Sequence, residues 1–236
     1  VCDDPEIPCD AQNLVLRAAA AFRAKVPQAP FMAWRLHKRV PFGAGLGGGS
    51  SDAAGALRIL NAACANILSA AELRAVAALV GSDCPLFITG EPCLMRGRGD
   101  IVEPLPEAAS AALRGKTLAL VKPHFGIPTG WAYGALDRLG EPANLPAAEA
   151  ALRRWIETPC GLPPVFNSFQ KVAFDKYLFY GALNTMLRDR RLPELALTGS
   201  GSAAFAFANE DEVSALVSAA EAESGGAAFA IRVEIL

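Results

Sequence analysis

The stretch Pro41-Phe42-Gly43-Ala44-Gly45-Leu46-Gly47-Gly48-Gly49-Ser50-Ser51-Asp52 constrains this chain more than any other. Five of its twelve residues are glycine, and it runs directly into the alanine-rich segment Ala53 to Ala63. Bare α-carbons let main-chain N–H groups close on an anion. A helix beginning at the far end adds unpaired amides and a positive dipole end. The pattern predicts a phosphate-binding loop, and therefore a nucleotide ligand. A side chain at Gly48 is expected to intrude on the phosphate path.

Other readings of the loop fit less well. A flexible linker would not be preceded by alternating apolar residues and followed by a helical pattern. A P-loop needs lysine before its final Ser/Thr, but Gly49 holds that place and no lysine lies between Lys38 and Lys116. Gly43 to Gly48 satisfies the letters of a dinucleotide fingerprint. The acidic residue that fingerprint requires about twenty positions on is absent from Asn61 to Ala70.

The chain of 236 residues has a net charge of −2, so nothing in its balance favours nucleic acid or an anionic membrane as a partner. No apolar run reaches the roughly 20 residues of a membrane span, and no export signal is visible. The six cysteines (Cys2, Cys9, Cys64, Cys84, Cys93 and Cys160) include no C-x-x-C pair. His37 and His124 lie far from any cysteine cluster, which argues against zinc. A reducing cytoplasm is the expected setting.

Asp10 to Lys25 reads as a helix capped by Asp10 or Asn13. Phe31 to Lys38 alternates as a strand. Ser69-Ala70-Ala71-Glu72 is a capping box opening a helix to Val80. Cys84 to Thr89 and Cys93 to Arg96 read as strands joined at Gly90-Glu91-Pro92. Leu118 to Val121 is a strand, and a helix starts near Thr129. Glu141 to Pro146 reads as a surface connection, and Val172 to Arg190 as mostly helix. Strands at Ala196 to Thr198 and Ala203 to Phe207 flank Gly199-Ser200-Gly201-Ser202. Asn209 caps a helix to Glu223, and Phe229, Ile231 and Val233 mark a last strand. Mixed elements without a strict β-α-β rhythm predict an α+β fold.

Two further stations accompany the loop. Gly81-Ser82-Asp83-Cys84-Pro85-Leu86-Phe87 sets one carboxylate beside an apolar run. By itself it is equally a turn in which Asp83 bonds nearby amides. Thr198-Gly199-Ser200-Gly201-Ser202 is equally a plain hairpin.

Taken in order, the three stations resemble the successive motifs of the GHMP kinases. The extended loop Gly45 to Ala54, with Gly81-Ser82-Asp83-Cys84-Pro85 downstream, is similar to the branch acting on 4-diphosphocytidyl-2-C-methyl-D-erythritol. Asn13-Leu14-Val15, Gly97-Arg98-Gly99-Asp100, Ile127-Pro128-Thr129 and Asn167-Ser168-Phe169 agree with it.

The resemblance implies a two-domain α+β fold. Residues 1–112 would be the ATP-binding domain and 113–236 a ferredoxin-like α/β sandwich, with the active site in the cleft between them. It implies ATP-dependent phosphorylation of the 2-hydroxyl of that small-molecule substrate, with Mg²⁺, and neither nucleic acid nor membrane as partner. Asp83 would orient the acceptor hydroxyl or take its proton. Pro41, Gly43, Gly45, Leu46, Gly47, Gly48, Gly49, Ser50 and Ser51 would hold the triphosphate. Asn13 and Lys38 would lie near adenine, and Arg98 and Thr129 on the substrate side. Another GHMP kinase acting on homoserine or mevalonate, or a catalytically silent relative, are the alternative readings. Family members open with a lysine-bearing strand and a Tyr-His hairpin. The chain starts at Val1 without methionine, so these are expected upstream of it. Ser168 stands where the family has aspartate.

Overall fold

A computed structural model of the chain describes residues 1–97, 99, 101–140, 142, 144–226 and 228–236. The chain separates into two compact units, one of Val1–Phe42 with Gly47–Leu105 and one of Gly43–Leu46 with Pro106–Leu236.

The first unit is mainly helical. Helix α1 (Leu14–Lys25) is capped by Asn13, whose Oδ1 accepts from the Val15 amide at 2.8 Å. Its buried face is Val15, Ala18, Ala19 and Phe22, the i, i+3, i+4, i+7 set of an amphipathic helix. Helix α2 (Gly48–Ala63) starts at the end of the glycine loop and lays Leu57 and Leu60 against that face. Helix α3 (Ala70–Val80) begins with the predicted capping box, Ser69 and Glu72 bonding each other's backbone. Together these helices close one apolar core around Phe22, Leu57, Leu60, Leu73 and Val76.

Three readings of this unit need correction. Cys84 to Thr89 is not a strand: a turn leads into the short helix α4 (Leu86–Thr89), closed by Gly90 at φ +75°. A short apolar run fits either state by periodicity. Here Pro85, at φ −58°, is already in helical geometry before Leu86. Strand β1 (Cys93–Arg96) pairs antiparallel with β2 (Ile101–Pro104) instead. Phe31 to Lys38 keeps its alternation, with Met32, Trp34 and Leu36 packed on the core. Among the described residues, however, it forms no ladder. It meets Val1–Asp3 through one parallel bridge, Cys2 to Leu36, and a few main-chain bonds. Asp3 fastens the next residues by accepting from the Lys38 amide at 2.7 Å. That bond is the main reason its carboxyl titrates below the ordinary value.

The second unit begins with α5 (Glu107–Leu113) and the central strand β3 (Thr117–Pro123). Then come α6 (Thr129–Leu139), α7 (Leu145–Glu157), α8 (Gln170–Lys176) and α9 (Leu178–Asp189). Strands β4 (Ala196–Leu197) and β5 (Ala204–Phe207), helix α10 (Glu210–Ser224) and strand β6 (Ala228–Glu234) complete it. The sheet order is β4-β5-β3-β6, antiparallel throughout. This is the ferredoxin-like arrangement, in which the first strand sits inside and the last at an edge. Alternate residues of β3, Ala119 and Val121, join Leu183, Leu187, Leu197 and Leu216 in a second core. Of the predicted connection at 141–146, residues 141 and 143 lie outside the described residues, and its end is helix, because Leu145 already opens α7 with Pro146 in its first turn.

Candidate active site

Gly47, at φ +66°, is the N-cap of α2 and supplies no side-chain cap. The amides of Gly48, Gly49 and Ser50 therefore have no acceptor within the helix, while Ser51 N donates to the Gly47 carbonyl at 2.8 Å. No acidic residue occupies the first turn. The result is a group of outward amides at a positive helix end, the donor set that suits a phosphate.

The same turn is packed against the Asp83 station. A Cβ built on Gly47 would come within 2.6 Å of the Phe87 ring. Ser50 reaches the Cys84 thiol, next in sequence to Asp83. Burial pushes that thiol above its ordinary value; the Ser50 hydroxyl opposes the shift and the Asp83 charge adds to it. Asp83 itself is exposed, and among the described residues its carboxylate has no hydrogen-bond or ion-pair partner. The plain-turn reading, in which it bonds local amides, finds no support here. Within the first unit, then, the start of α2 and the Asp83 turn are neighbours.

Lys38 and Asp52 form a further pair. The Lys38 ammonium is ion-paired with the Asp52 carboxylate, and their side chains are 5% and 21% exposed. Gly48 and Asp52 are four residues apart, on one face of α2. A Cβ on Gly48 would lie 3.0 Å from the ammonium and 2.9 Å from Val40 Cγ1, and one on Gly49 3.2 Å from Leu14. The bareness of these glycines thus serves protein packing first, which revises the expectation that a side chain at Gly48 would meet the phosphate. Gly43, by contrast, faces open space and needs glycine for its φ of +64°. Asp52 was not singled out by sequence; its position four residues after Gly48, with Lys38 upstream, is the pattern that could have found it.

Asn13, besides capping α1, donates to the Pro8 carbonyl at 2.7 Å. It lines a cavity of about 610 Å³ with Met32, Trp34 and Leu36. Pro41 and Leu46 are half-buried members of the loop, and Ser51 Oγ donates to the Gly48 carbonyl at 3.1 Å. In the second unit, Gly45 is gripped by the 198–202 loop: Thr198 Oγ1 donates to its carbonyl at 2.6 Å. Thr129 opens α6 and lies 3.2 Å from the Ser200 hydroxyl. Arg98 falls outside the described residues. Among the described residues there is no group of three or more His, Cys, Asp or Glu able to cage a metal, and no helix long and apolar enough to cross a membrane.

Comparison with known proteins identifies the family. Residues 13–91 match the GHMP kinases N terminal domain. The chain is 36% identical over 226 residues to the 4-diphosphocytidyl-2-C-methyl-D-erythritol kinase of Synechococcus sp. (strain JA-2-3B'a(2-13)), covering 91% of this chain and 71% of the relative. It is 35% identical to the enzyme of that name from Solidesulfovibrio magneticus, covering 97% and 77%. A crystal structure of 4-(cytidine 5'-diphospho)-2C-methyl-D-erythritol kinase superposes with a TM-score of 0.72 at 29% identity, over 100% of this chain and 82% of that one.

Proposed function

The chain belongs to the GHMP kinases, in the family of the 4-diphosphocytidyl-2-C-methyl-D-erythritol kinases, and on that premise we propose that it phosphorylates 4-diphosphocytidyl-2-C-methyl-D-erythritol. The γ-phosphoryl group of ATP passes to the 2-hydroxyl, giving the 2-phosphate and ADP, a step in the non-mevalonate route to isoprenoid precursors. The observation that carries the reading is the packing of the first turn of α2 on the turn that bears Asp83, where three amides of the one and the carboxylate of the other have no partner among the described residues.

The roles follow from the chemistry of phosphoryl transfer, which is mainly positioning and charge stabilisation. The amides of Gly48, Gly49 and Ser50 hold phosphate oxygens as charge redistributes. Gly43, Gly45, Leu46 and Gly47 carry the chain past the triphosphate, and the Ser50 and Ser51 hydroxyls supplement the amides. Asp83 orients the acceptor hydroxyl and takes its proton as the oxygen bonds to phosphorus and ADP leaves. Lys38 adds a cation beside Gly48, and Asn13 is assigned with it to the nucleotide. Thr129 and Arg98 are assigned to the substrate. Mg²⁺ is assigned to the ATP phosphates, since it keeps much of its coordination from water and phosphate. We assign 1–112 to nucleotide binding and 113–236 to the C-terminal domain, and place the enzyme in the reducing cytoplasm that its six free thiols suit.

The test is a coupled assay of ADP release. Turnover is expected with 4-diphosphocytidyl-2-C-methyl-D-erythritol and not with homoserine, mevalonate or galactose; release with one of those three instead would move the chain to another branch. Asp83→Asn should keep ATP affinity while lowering kcat on the order of 100-fold or more. Unchanged kcat would remove Asp83 from the chemistry.

A further inference from the structure

Asn167 has no part in the chemistry above, yet its amide is fully used. Nδ2 donates to the Leu197 carbonyl at 2.8 Å and to the Gly199 carbonyl at 2.9 Å. Oδ1 accepts from the Phe169 amide at 2.8 Å. The two carbonyls flank Thr198, whose hydroxyl holds the Gly45 carbonyl at 2.6 Å. The grip on that segment is repeated next door, where the Ala203 amide donates to the Ala44 carbonyl at 2.8 Å. Contact is close enough that a Cβ on Gly199 would stand 2.8 Å from the Gly45 carbonyl oxygen. The far end of the 198–202 loop is pinned separately. Ser202 Oγ donates to the Phe125 carbonyl at 2.6 Å, and Tyr180 OH donates to the Ser202 carbonyl at 2.7 Å.

We propose that Asn167 is a positioning residue for ATP. By fixing the carbonyls on both sides of Thr198 it sets the hydroxyl that anchors Gly45, and so the course of the glycine loop into the first turn of α2. Only a side chain with two N–H donors on one nitrogen bridges two carbonyls in this way. Asn167→Ala removes both of these bonds, and with them the acceptor of the Phe169 amide. Asn167→Asp keeps the shape but turns an acceptor toward two acceptors, and is the harsher change. The inference rests on the reading of the loop as a phosphate site.

The experiment titrates a non-hydrolysable ATP analogue into the full chain and its two variants, with steady-state kinetics and amide hydrogen exchange alongside. Asn167→Ala should weaken analogue binding by about fivefold and Asn167→Asp by about tenfold or more, as expected for one or two lost hydrogen bonds. The KM for ATP should rise in step, kcat should stay within about threefold, and the KM for the alcohol substrate should hold, because positioning of the nucleotide alone is disturbed. Exchange should quicken in peptides spanning 43–51 and 198–203 and stay unchanged in α10. Variants that bind the analogue as the unsubstituted protein does would overturn the proposal while leaving the kinase reading intact. Exchange that quickens everywhere would also overturn it, by making Asn167 a general packing residue. Should Asn167→Asp fail to fold, the alanine variant decides the matter alone by the same measures. If the unsubstituted protein bound the analogue without phosphorylating the proposed alcohol, the substrate assignment would fall and the Asn167 comparison would still stand; if it bound no nucleotide, both would fall.

Discussion

At position 48 the demand for glycine comes from inside the protein. Any β-carbon there must displace Val40 or the Lys38 ammonium, and Lys38 is itself committed to Asp52. Gly48→Ser is therefore expected to cost about 1–3 kcal/mol of stability through overpacking, measured by urea unfolding, with weaker nucleotide binding as its secondary effect. A loss of affinity at unchanged stability would restore the ligand as the reason for this glycine. The sequence allowed the loop to be read as a candidate phosphate site from glycine content and the helix that follows it. It did not reveal which glycines face the protein, because that depends on Val40, Phe87 and Leu14 arriving from elsewhere in the chain. Asp83 was legible as a carboxylate at a turn; its lack of a partner among the described residues was not, since an Asp-Cys-Pro turn is compatible with side-chain bonds to its own amides.

Helices with chemical start marks were the most legible elements. Ser69 with Glu72 and Asn209 with Glu212 spell capping boxes, and both form as reciprocal pairs. Ser69→Ala should lower stability by about 1 kcal/mol. A chemical denaturation midpoint, compared with that of a surface control, measures the effect; an unchanged midpoint would show that Glu72 alone suffices to start α3. Some elements lacking such marks were misread. Cys84 to Thr89 has too few residues for period 2 and period 3.6 to differ, and the helical φ of Pro85 tipped it toward a turn of helix. Phe31 to Lys38 has a strand's alternation and, among the described residues, not a strand's ladder, because alternation reports one buried face and says nothing about a neighbour. Helix α7 was hidden by Pro146, which reads as a breaker in isolation and is well placed in a first turn.

Each unit carries its own core, so the molecule should report damage unit by unit. Phe22 is fully buried at the centre of the first core. Phe22→Ala is expected to destabilise that core by about 3–5 kcal/mol. Trp34 packs on the first core, while Trp131 packs on the second. Fluorescence from single-tryptophan versions should show the Trp34 transition moving to lower denaturant. An unmoved Trp34 midpoint would contradict the packing described. The α+β class was legible from the mixture of elements, but the order of strands was not. β3 takes its place between β5 and β6 because Ala119 and Val121 must face the same helices as Ala204, Ala206 and Ala228. Nothing local to Thr117–Pro123 encodes those partners.

The passage of Gly43–Leu46 from one unit's company to the other's has a bearing on how this gene can be cut. No single break in the chain releases the first unit whole, since four residues in its midst belong with the second unit, two of them, Ala44 and Gly45, bonded to partners beyond Pro106. A fragment ending at Leu105 would carry a tetrapeptide stripped of Thr198 and Ala203. Split reporters and minimal ATP-binding versions of this protein should therefore be built by supplying the second piece in trans, not by trimming.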